Sequence, residues 1–276
     1  MIIIVDALNR HKYTTLVDRM FQLRAQVFGG RLGWDVQVEN GREIDQYDSL
    51  DPAYVIGVNA AGDVVSCVRA LQTTGPHMLS DVFSAILGDE PPLRSPTLWE
   101  STRFCVDTKR LARGRGPGSI SDATAELMIG SLEYAMSSGI DDIVTVIDPV
   151  MDKVLKRSNN APYDYVGSTV QMGKVPALAA LLDCTQERID RVRDFANIPH
   201  DVFAGPEELA RFTDAGLLSQ SNSVGRELTV DYLWAQFDAA KTVDEVAAVY
   251  RMWMDLFSKG LVESAPPESL TSRHVA

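Results

Sequence analysis

The chain has 276 residues, a formal net charge of −12 at pH 7 and a hydrophobic share of 45%. This balance is typical of a globular protein with one large domain, or one domain with an appendage, and the acidic charge disfavours nucleic acid as a partner. Three widely spaced cysteines and four scattered histidines argue against a disulfide framework or a metal site, and no stretch approaches the roughly 18 apolar residues of a membrane span.

The N-terminus has a short apolar run without a preceding basic segment, so we expect a reduced, cytoplasmic protein without a signal peptide. Apolar residues then recur at helical spacing, which predicts an amphipathic helix over residues 12–28 that ends at Gly29-Gly30. Residues 53–59 and 64–71 are predicted strands, joined in a hairpin by residues 60–63.

A third strand is predicted at residues 97–106, followed by a helix at 121–137 with Ser121 as its N-cap. Residues 142–147 form the next predicted strand, and Pro149 begins a helix that runs to about Arg157. Strands and helices alternate in this half of the chain, which predicts an α/β fold with a mixed sheet covered by helices.

From residue 199 the sequence predicts helices alone, at 227–239 and 242–258, and a disordered tail. We therefore divide the chain into residues 1–198 and a helical extension, residues 199–276, of unknown role. The second of these helices carries an apolar stripe of Val243, Val246, Val249, Tyr250, Trp253, Met254 and Phe257. Such a stripe must be covered, either within this chain or in a dimer.

The stretch ENGREIDQYDSLD, residues 39–51, gathers more charge than a turn needs. In the predicted strand 64–71, alternation places Arg69 on one face with Val65, Cys67 and Leu71. A guanidinium buried among apolar side chains needs carboxylate partners. Asp45 and Asp48 are the candidates.

Arg24 falls near the buried edge of the first predicted helix, and the third strand adds Glu100 and Arg103. Strict alternation sends these last two to opposite faces, so either they serve different sides of the sheet or a bulge resets the count. Convergence of three arginines and three acids indicates a site, although a structural ion-pair network gives the same pattern.

These residues stand in motifs that can be recognised. The chain resembles the LuxI-type acyl-homoserine-lactone synthases of bacterial quorum sensing over residues 1 to about 185, in motif order and approximate spacing. Thr102 departs mildly from it, since many members carry Ser there, and the region from residue 199 lies outside it. The matching motifs are LRAQVF with Arg24 and Phe28, Trp34, GREIDQYD with Asp45 and Asp48, VSCVRAL with Arg69, LSDVF with Phe83 and WESTRF with Glu100 and Arg103.

The resemblance implies a three-layer α-β-α fold similar to that of GNAT N-acetyltransferases, with a mixed twisted sheet splayed open to admit the pantetheine arm of a thioester. It implies acylation of the amine of S-adenosylmethionine by an acyl thioester, followed by closure of the lactone and release of methylthioadenosine. S-adenosylmethionine is a substrate in this reaction, and no cofactor or metal is expected.

The resemblance also implies roles for particular residues. Glu100 is the expected base, acting with the network of Asp45, Asp48 and Arg69. The expected contacts of S-adenosylmethionine are Arg24, Phe28, Trp34 and Arg103. The acyl chain is expected to run past Phe83, Ser101 and Thr145.

Two basic clusters are candidates for docking the acyl donor, which is either an acyl carrier protein or acyl-CoA. Lys153, Lys156 and Arg157 share one face of their helix, while Val150, Met151, Val154 and Leu155 are expected to face the core. The second cluster is Lys109, Arg110, Arg113 and Arg115.

Two other functions stay open at this point. An ordinary CoA-dependent N-acetyltransferase would use a glycine loop before a helix, for which Gly114 and Gly116 are available, but Leu111 stands where Arg or Gln is expected. A non-catalytic ligand-sensing module on the same scaffold is the other alternative. The presence of Glu100, Arg24 and Asp45 argues against the loss of catalysis.

Overall fold

The structure, a computed structural model, describes residues 1–111, 120–173, 175–216, 218, 226–240, 242–258, 262 and 264–266. Seven of its strands form one sheet in the order β1-β4-β5-β6-β7-β9-β8, and β2 and β3 pair as a small ribbon beside it. The strands are β1 (Ile2–Val5), β2 (Val38–Glu39), β3 (Arg42–Glu43), β4 (Ala53–Val58), β5 (Val64–Gln72), β6 (Leu98–Val106), β7 (Asp142–Ile147), β8 (Asp164–Met172) and β9 (Val175–Asp183).

Helices lie on both faces of the sheet. The helices of the described residues are α1 (Thr14–Arg24), α2 (Met78–Asp81), α3 (Thr108–Leu111), α4 (Asp122–Ser137), α5 (Pro149–Arg157), α6 (Gln186–Ala196), α7 (Pro206–Asp214), α8 (Arg226–Ala239) and α9 (Val243–Ser258). Apolar residues of α4, α5 and α6 form one core with the sheet, and those of α1 form a second core with it. The predicted three-layer α/β fold with a mixed sheet is confirmed.

The sheet opens between β6 and β7, near its centre. β6 and β7 are parallel and pair over Leu98–Ser101 and Asp142–Thr145, whereas β6 continues to Val106 along β5 and β7 continues along β9. Within the described residues, the β6–β7 ladder therefore ends at the pair Ser101–Thr145. A parallel pair that separates part-way along its length leaves a gap in the sheet, as the sequence resemblance implied.

Capping residues fix several strand and helix boundaries at the positions predicted from the sequence. The strand 142–147 and the helix 149–157 have the predicted limits, since Asp148 caps the helix by accepting from the Met151 amide at 2.7 Å and Pro149 is its first residue. The side chain of Ser121 caps α4 by accepting from the Thr124 amide at 3.2 Å.

Other expectations were wrong or incomplete. The first helix does not end at Gly29-Gly30: α1 ends at Arg24 and the chain continues in a π-helical segment, Ala25–Arg31, a widened turn that is frequent at functional sites. Val65 does not share a face with Arg69, because a register shift at Val58 places it in the core on the α4 side. β1, β8, β9 and α6 had not been predicted.

The segment after α6 continues onto the sheet. The Ile2 amide donates to Val202 O at 2.6 Å, and the Ala204 amide donates to Ile2 O at 2.8 Å. Phe212 of α7 is buried in the core that α1 shares with the sheet. Helices α8 and α9 form a core of their own around Leu233 and Trp253, so part of the α9 stripe is covered within the chain, while Val243 is 62% exposed.

Candidate active site

Arg24, the last residue of α1, lies between two acids of the charged stretch. Its Nε donates to Glu43 at 2.5 Å, and its two terminal nitrogens donate to the Asp48 oxygens at 2.7 and 2.9 Å. All three side chains are buried. Burial alone would raise the pKa of Asp48, but the hydrogen bonds and charge of Arg24, with the charge of Arg69, hold that pKa well below its ordinary range.

The second arginine that binds these acids is Arg69, on β5. It binds the Asp45 carboxylate at both oxygens, at 2.5 and 2.9 Å, and lies 2.9 Å from Asp48 Oδ1. Its Nε donates to the Thr102 hydroxyl at 3.0 Å, so the residue that departs from the family motif retains the hydroxyl this bond needs. The predicted partners of buried Arg69 are therefore its partners in the structure.

Arg103 joins the same acids from β6. Its Nη2 donates to Glu43 at 3.0 Å and to Asp45 at 2.8 Å. The β5–β6 register shifts between Cys67 and Arg69, where β6 carries one extra residue, and Arg103 has φ +56°. Of the two alternatives left open by alternation, the bulge is the one that occurs, and it brings Arg103 to the side of the sheet that Glu100 faces.

The result is a compact network with three positive and three negative side chains: Arg24, Arg69 and Arg103 with Glu43, Asp45 and Asp48. Glu43 was not among the predicted site residues, although it is fully buried and binds both Arg24 and Arg103. Alternation in the short strand β3 carries the signal that was missed, because Glu43 points inward where Arg42 points outward.

Glu100 is the remaining buried acid. Its oxygens accept hydrogen bonds from the backbone amides of Met78 at 2.6 Å and Leu79 at 2.8 Å. Burial raises its pKa to about 7, against the effect of these two amides and of the Arg69 charge, which lower it. A carboxylate with this pKa can accept and release a proton near neutral pH, as a general base must.

Two aromatic side chains lie next to the network, Phe28 on the π-helical segment and Trp34 just after it. Phe28 stacks on Trp34 with ring centroids 5.1 Å apart, and the Arg103 guanidinium lies 5.6 Å from the Phe28 ring centroid. Phe28 is buried, but Trp34 is 44% exposed. An exposed ring beside a cationic and acidic network is suited to bind a flat, charged ligand.

The three residues expected at the acyl chain do not lie together. Ser101 and Thr145 are paired at the opening of the sheet, where the Thr145 hydroxyl donates to Ser101 O at 3.0 Å. Ser101 also lines a narrow apolar cavity beneath α4, with Trp99 and Tyr134. Phe83 packs with Leu79 and its neighbours, in a separate apolar cluster.

The basic face of α5 is exposed at Lys153, Lys156 and Arg157, and Lys156 pairs with Asp152 at 2.7 Å. Val150 does not face the core as expected: it is 69% exposed because it lies in the first turn, beyond the edge of the packed face. In the second cluster Arg113 and Arg115 lie outside the described residues, as do Gly114 and Gly116, and the side chains of Arg110 and Leu111 are not described.

Comparison with known proteins identifies the family. The sequence profile described as "Autoinducer synthase" matches residues 8–192. The chain belongs to the autoinducer synthase family. An acyl-homoserine-lactone synthase of Agrobacterium fabrum is 37% identical over 181 residues, which cover 66% of this chain and 85% of that protein.

Solved structures of autoinducer synthases agree with this assignment. The structure described as that of a CoA-dependent acyl-homoserine lactone synthase, MesI, matches with a TM-score of 0.63 and 27% identity, over 74% of this chain and 99% of that one. The structure of the synthase LasI matches with a TM-score of 0.59 and 31% identity, over 70% and 95%. The family, the fold and the acyltransferase function predicted from the motifs are confirmed.

Two further observations concern metal binding and membrane-spanning helices. Among the described residues, no group of three or more His, Cys, Asp or Glu side chains is arranged to bind a metal ion. The helices described are each too short or too polar to cross a membrane.

Proposed function

We propose that this autoinducer synthase acylates the amine of S-adenosylmethionine with an acyl thioester and then closes the lactone, with Glu100 as the base. The observation that carries the proposal is the state of Glu100, a buried carboxyl with a pKa of about 7 beside the arginine–carboxylate network. A free α-amine has a pKa of about 8 and must lose a proton before it can attack. Glu100 receives that proton directly or through a water.

In the first step the neutral amine attacks the thioester carbonyl. A C–N bond forms, the C–S bond to the donor breaks, and the thiolate takes up a proton as it leaves. The oxyanion formed on the way needs fixed donors. Backbone N–H groups of β6 near the bulge at Arg103 are the candidates, because the register shift interrupts the β5–β6 ladder there.

In the second step a carboxylate oxygen of the acylated substrate attacks its own γ-carbon. A C–O bond forms, the bond from carbon to the sulfonium sulfur breaks, and methylthioadenosine leaves as a neutral thioether. The carboxylate and sulfonium charges cancel, so no proton is transferred. The step is intramolecular, and the enzyme contributes mainly by holding a folded conformer.

Arg103 and Trp34 are the proposed contacts of S-adenosylmethionine, with Phe28 and Arg24 behind them. Arg103 has the most exposed side chain of the three network arginines, at 11% against 0% for the other two. Its Nη1 faces the Met78 sulfur at 3.6 Å, and can instead donate to a substrate carboxylate. Trp34 offers a ring on which the adenine can stack.

For the donor we propose acyl-CoA, and the CoA dependence named for MesI supports it. The gap after Ser101–Thr145 provides the path for the pantetheine arm, and the α5 cations are available for the phosphates of CoA. An acyl carrier protein would use the same cations through its acidic surface. Since S-adenosylmethionine and acyl thioesters are cytoplasmic metabolites, we place the reaction in the cytoplasm.

The test is release of methylthioadenosine when the purified chain is mixed with S-adenosylmethionine and a series of acyl-CoA or acyl-carrier-protein donors, with mass spectrometry of the lactone. Wild-type protein should form both products, and Glu100→Gln should lower turnover by about 10²-fold or more. Acylated product without methylthioadenosine would indicate an ordinary N-acyltransferase. Absence of both products with every donor would contradict the proposed function.

A further inference from the structure

Helix α8 lies outside the part of the chain that matches the family profile, yet two of its residues reach the synthase fold. Tyr232 and Gln236 are four residues apart and therefore share a face. Burial raises the pKa of the Tyr232 phenol, which also lies close enough to Asp6 for that charge to raise it further. Gln236 accepts a hydrogen bond from the Thr74 hydroxyl at 2.8 Å.

The contact between Gln236 and Thr74 is buried. Gln236 is 5% exposed and Thr74 is 8% exposed, and 162 residues of chain separate them. A buried amide oxygen that loses its hydrogen-bond donor stays unsatisfied, and this costs free energy. The bond therefore requires these two groups to meet in one geometry, whereas apolar packing does not. The apolar core of α8 and α9, around Leu233 and Trp253, adjoins this contact, and Tyr232 packs against that core.

Thr74 belongs to the loop 73–77, which connects β5 to α2. The inner side of this loop is fixed: Thr73 donates to Leu98 O at 2.8 Å, and Arg94 donates to Thr74 O at 2.8 Å. Its outer side is covered by Gln236. The first two residues after the loop are Met78 and Leu79, whose amides hold the Glu100 carboxylate.

We propose that Gln236 of α8 is a positioning residue of the synthase: through Thr74 it fixes the loop 73–77 and thereby keeps the Met78 and Leu79 amides on Glu100. The helical extension then has a role in the reaction of the core domain, although it lies outside the family profile. This inference rests on the proposed function of Glu100 as the base.

The consequence for catalysis follows from the groups that face Glu100. The Met78 and Leu79 amides and the Arg69 charge favour its ionised form, whereas burial and the charge of Asp81 disfavour it, and Tyr47 lies close enough to sense its charge. If the loop loosens, the two amides move away together with Asp81 at the other end of α2, while the burial of the carboxyl and the Arg69 charge stay. The two amides affect the pKa of Glu100 more than Asp81 does. The pKa of Glu100 then rises, and less of it is in the basic form at neutral pH.

The test compares Thr74→Val, which removes the hydroxyl at nearly constant shape, with Thr74→Ser, which keeps it. Gln236→Leu removes the acceptor, and Asp238→Asn, at an exposed position of α8, is the control. Kinetics are measured from pH 6 to 9 with S-adenosylmethionine varied. Hydrogen exchange of the peptide containing Met78 and Leu79 is followed in the same proteins, and a thermal melt checks that each is folded.

We expect Thr74→Val and Gln236→Leu to lower kcat by about two- to tenfold at pH 7, the effect of one lost hydrogen bond. The loss should shrink toward pH 9, KM for S-adenosylmethionine should stay the same, and exchange at Met78 and Leu79 should become faster. Thr74→Ser and Asp238→Asn should behave as wild type. In the double variant the two losses should not add, because both remove the same bond.

Folded Thr74→Val and Gln236→Leu proteins with wild-type exchange at Met78 and Leu79 would overturn the inference, whatever their activity. Faster exchange with an unchanged pH profile would also overturn it, since the loop would then move without affecting Glu100. If wild-type protein itself releases no methylthioadenosine, the proposed function fails instead, and the exchange data still decide whether Gln236 holds the loop.

Discussion

Arg103 donates three hydrogen bonds to Glu43, from Nε to the two carboxylate oxygens at 3.1 and 3.3 Å and from Nη2 to Oε1 at 3.0 Å. Glu43 binds Arg24 on its other side. It therefore links the arginine nearest the surface of the network to one that is fully buried. The network balances three cations with three anions, and this balance depends on an acid that the motif analysis had not assigned to the site.

Glu43→Gln should destabilise the fold strongly, because it leaves a buried guanidinium charge uncompensated. Removal of one partner of a buried ion pair costs about 3–5 kcal/mol. Urea unfolding measures the difference. Asp18→Asn is the matched control, since Asp18 pairs with Arg42 near the surface, and it should change little. Equal stability of the two variants would show that the buried charge is solvated by other means.

Arg103→Gly and Arg103→Ala should separate the backbone role of this position from its side-chain role. Both remove the guanidinium and should raise KM for S-adenosylmethionine equally, if Arg103 binds its carboxylate. The φ of +56° favours glycine, so the glycine variant should be more stable than the alanine variant by about 1 kcal/mol. Thermal melts test the stability order, and a more stable alanine variant would contradict the strained bulge.

Trp34→Ala should weaken binding of S-adenosylmethionine while leaving the fold intact, because the ring is 44% exposed. Loss of a stacked aromatic contact costs about 0.5–1.5 kcal/mol beyond the area it buries, or roughly tenfold in Kd. Isothermal titration with S-adenosylmethionine measures this. Val38→Ala is a suitable control, because Val38 is also exposed, at 47%. Equal affinities in all three proteins would remove Trp34 from the binding site.

Sequence reasoning reached the site residues where a local rule applied. A buried Arg69 on β5 needs carboxylate partners, and Asp45 and Asp48 of the charged stretch 39–51 are those partners. The boundaries of α5 followed from Asp148 and Pro149, which are adjacent in the chain. Such rules depend on neighbours in sequence, and they hold when the structure adds no conflicting long-range contact.

The remaining features depend on contacts that have no local signal. Nothing in WESTRF indicates that a non-glycine residue adopts positive φ, so the side reached by Arg103 could not be decided in advance. The strand β8 is mostly exposed and lacks regular apolar alternation, which hid it from a periodicity search. The bond between Thr74 and Gln236 joins residues 162 positions apart.

Charge reversal on α5 should impair use of the acyl donor. Lys153→Glu, Lys156→Glu and Arg157→Glu together should raise KM for the donor, more so at low salt, because opposite charges steer its approach. KM for S-adenosylmethionine should not change. Reversal at the exposed Lys12, Arg19 and Arg191 makes the same change in net charge and is the control. If both triple variants shift KM equally, total charge rather than the α5 face is responsible.

The raised pKa of Glu100 has a consequence for stability as well as for activity. Burial raises this pKa from an ordinary value of 4.5 to about 7, so the unfolded chain releases the proton at a lower pH than the folded protein does. Glu100 therefore reduces the free energy of unfolding progressively as the pH rises from about 4.5 to about 7, and the reduction is absent below this window and complete above it.

Glu100→Gln removes this titration. The stability of the variant relative to wild type should therefore shift in favour of the variant between pH 5 and pH 8, even though the amide offers one acceptor oxygen to the Met78 and Leu79 amides where the carboxylate offers two. Tm measured across this range gives the comparison, with Glu90→Gln as the control at an exposed position. A Tm difference between Glu100→Gln and wild type that stays constant from pH 5 to pH 8 would mean that Glu100 does not titrate near 7, and any loss of activity toward acid pH would then belong to another group.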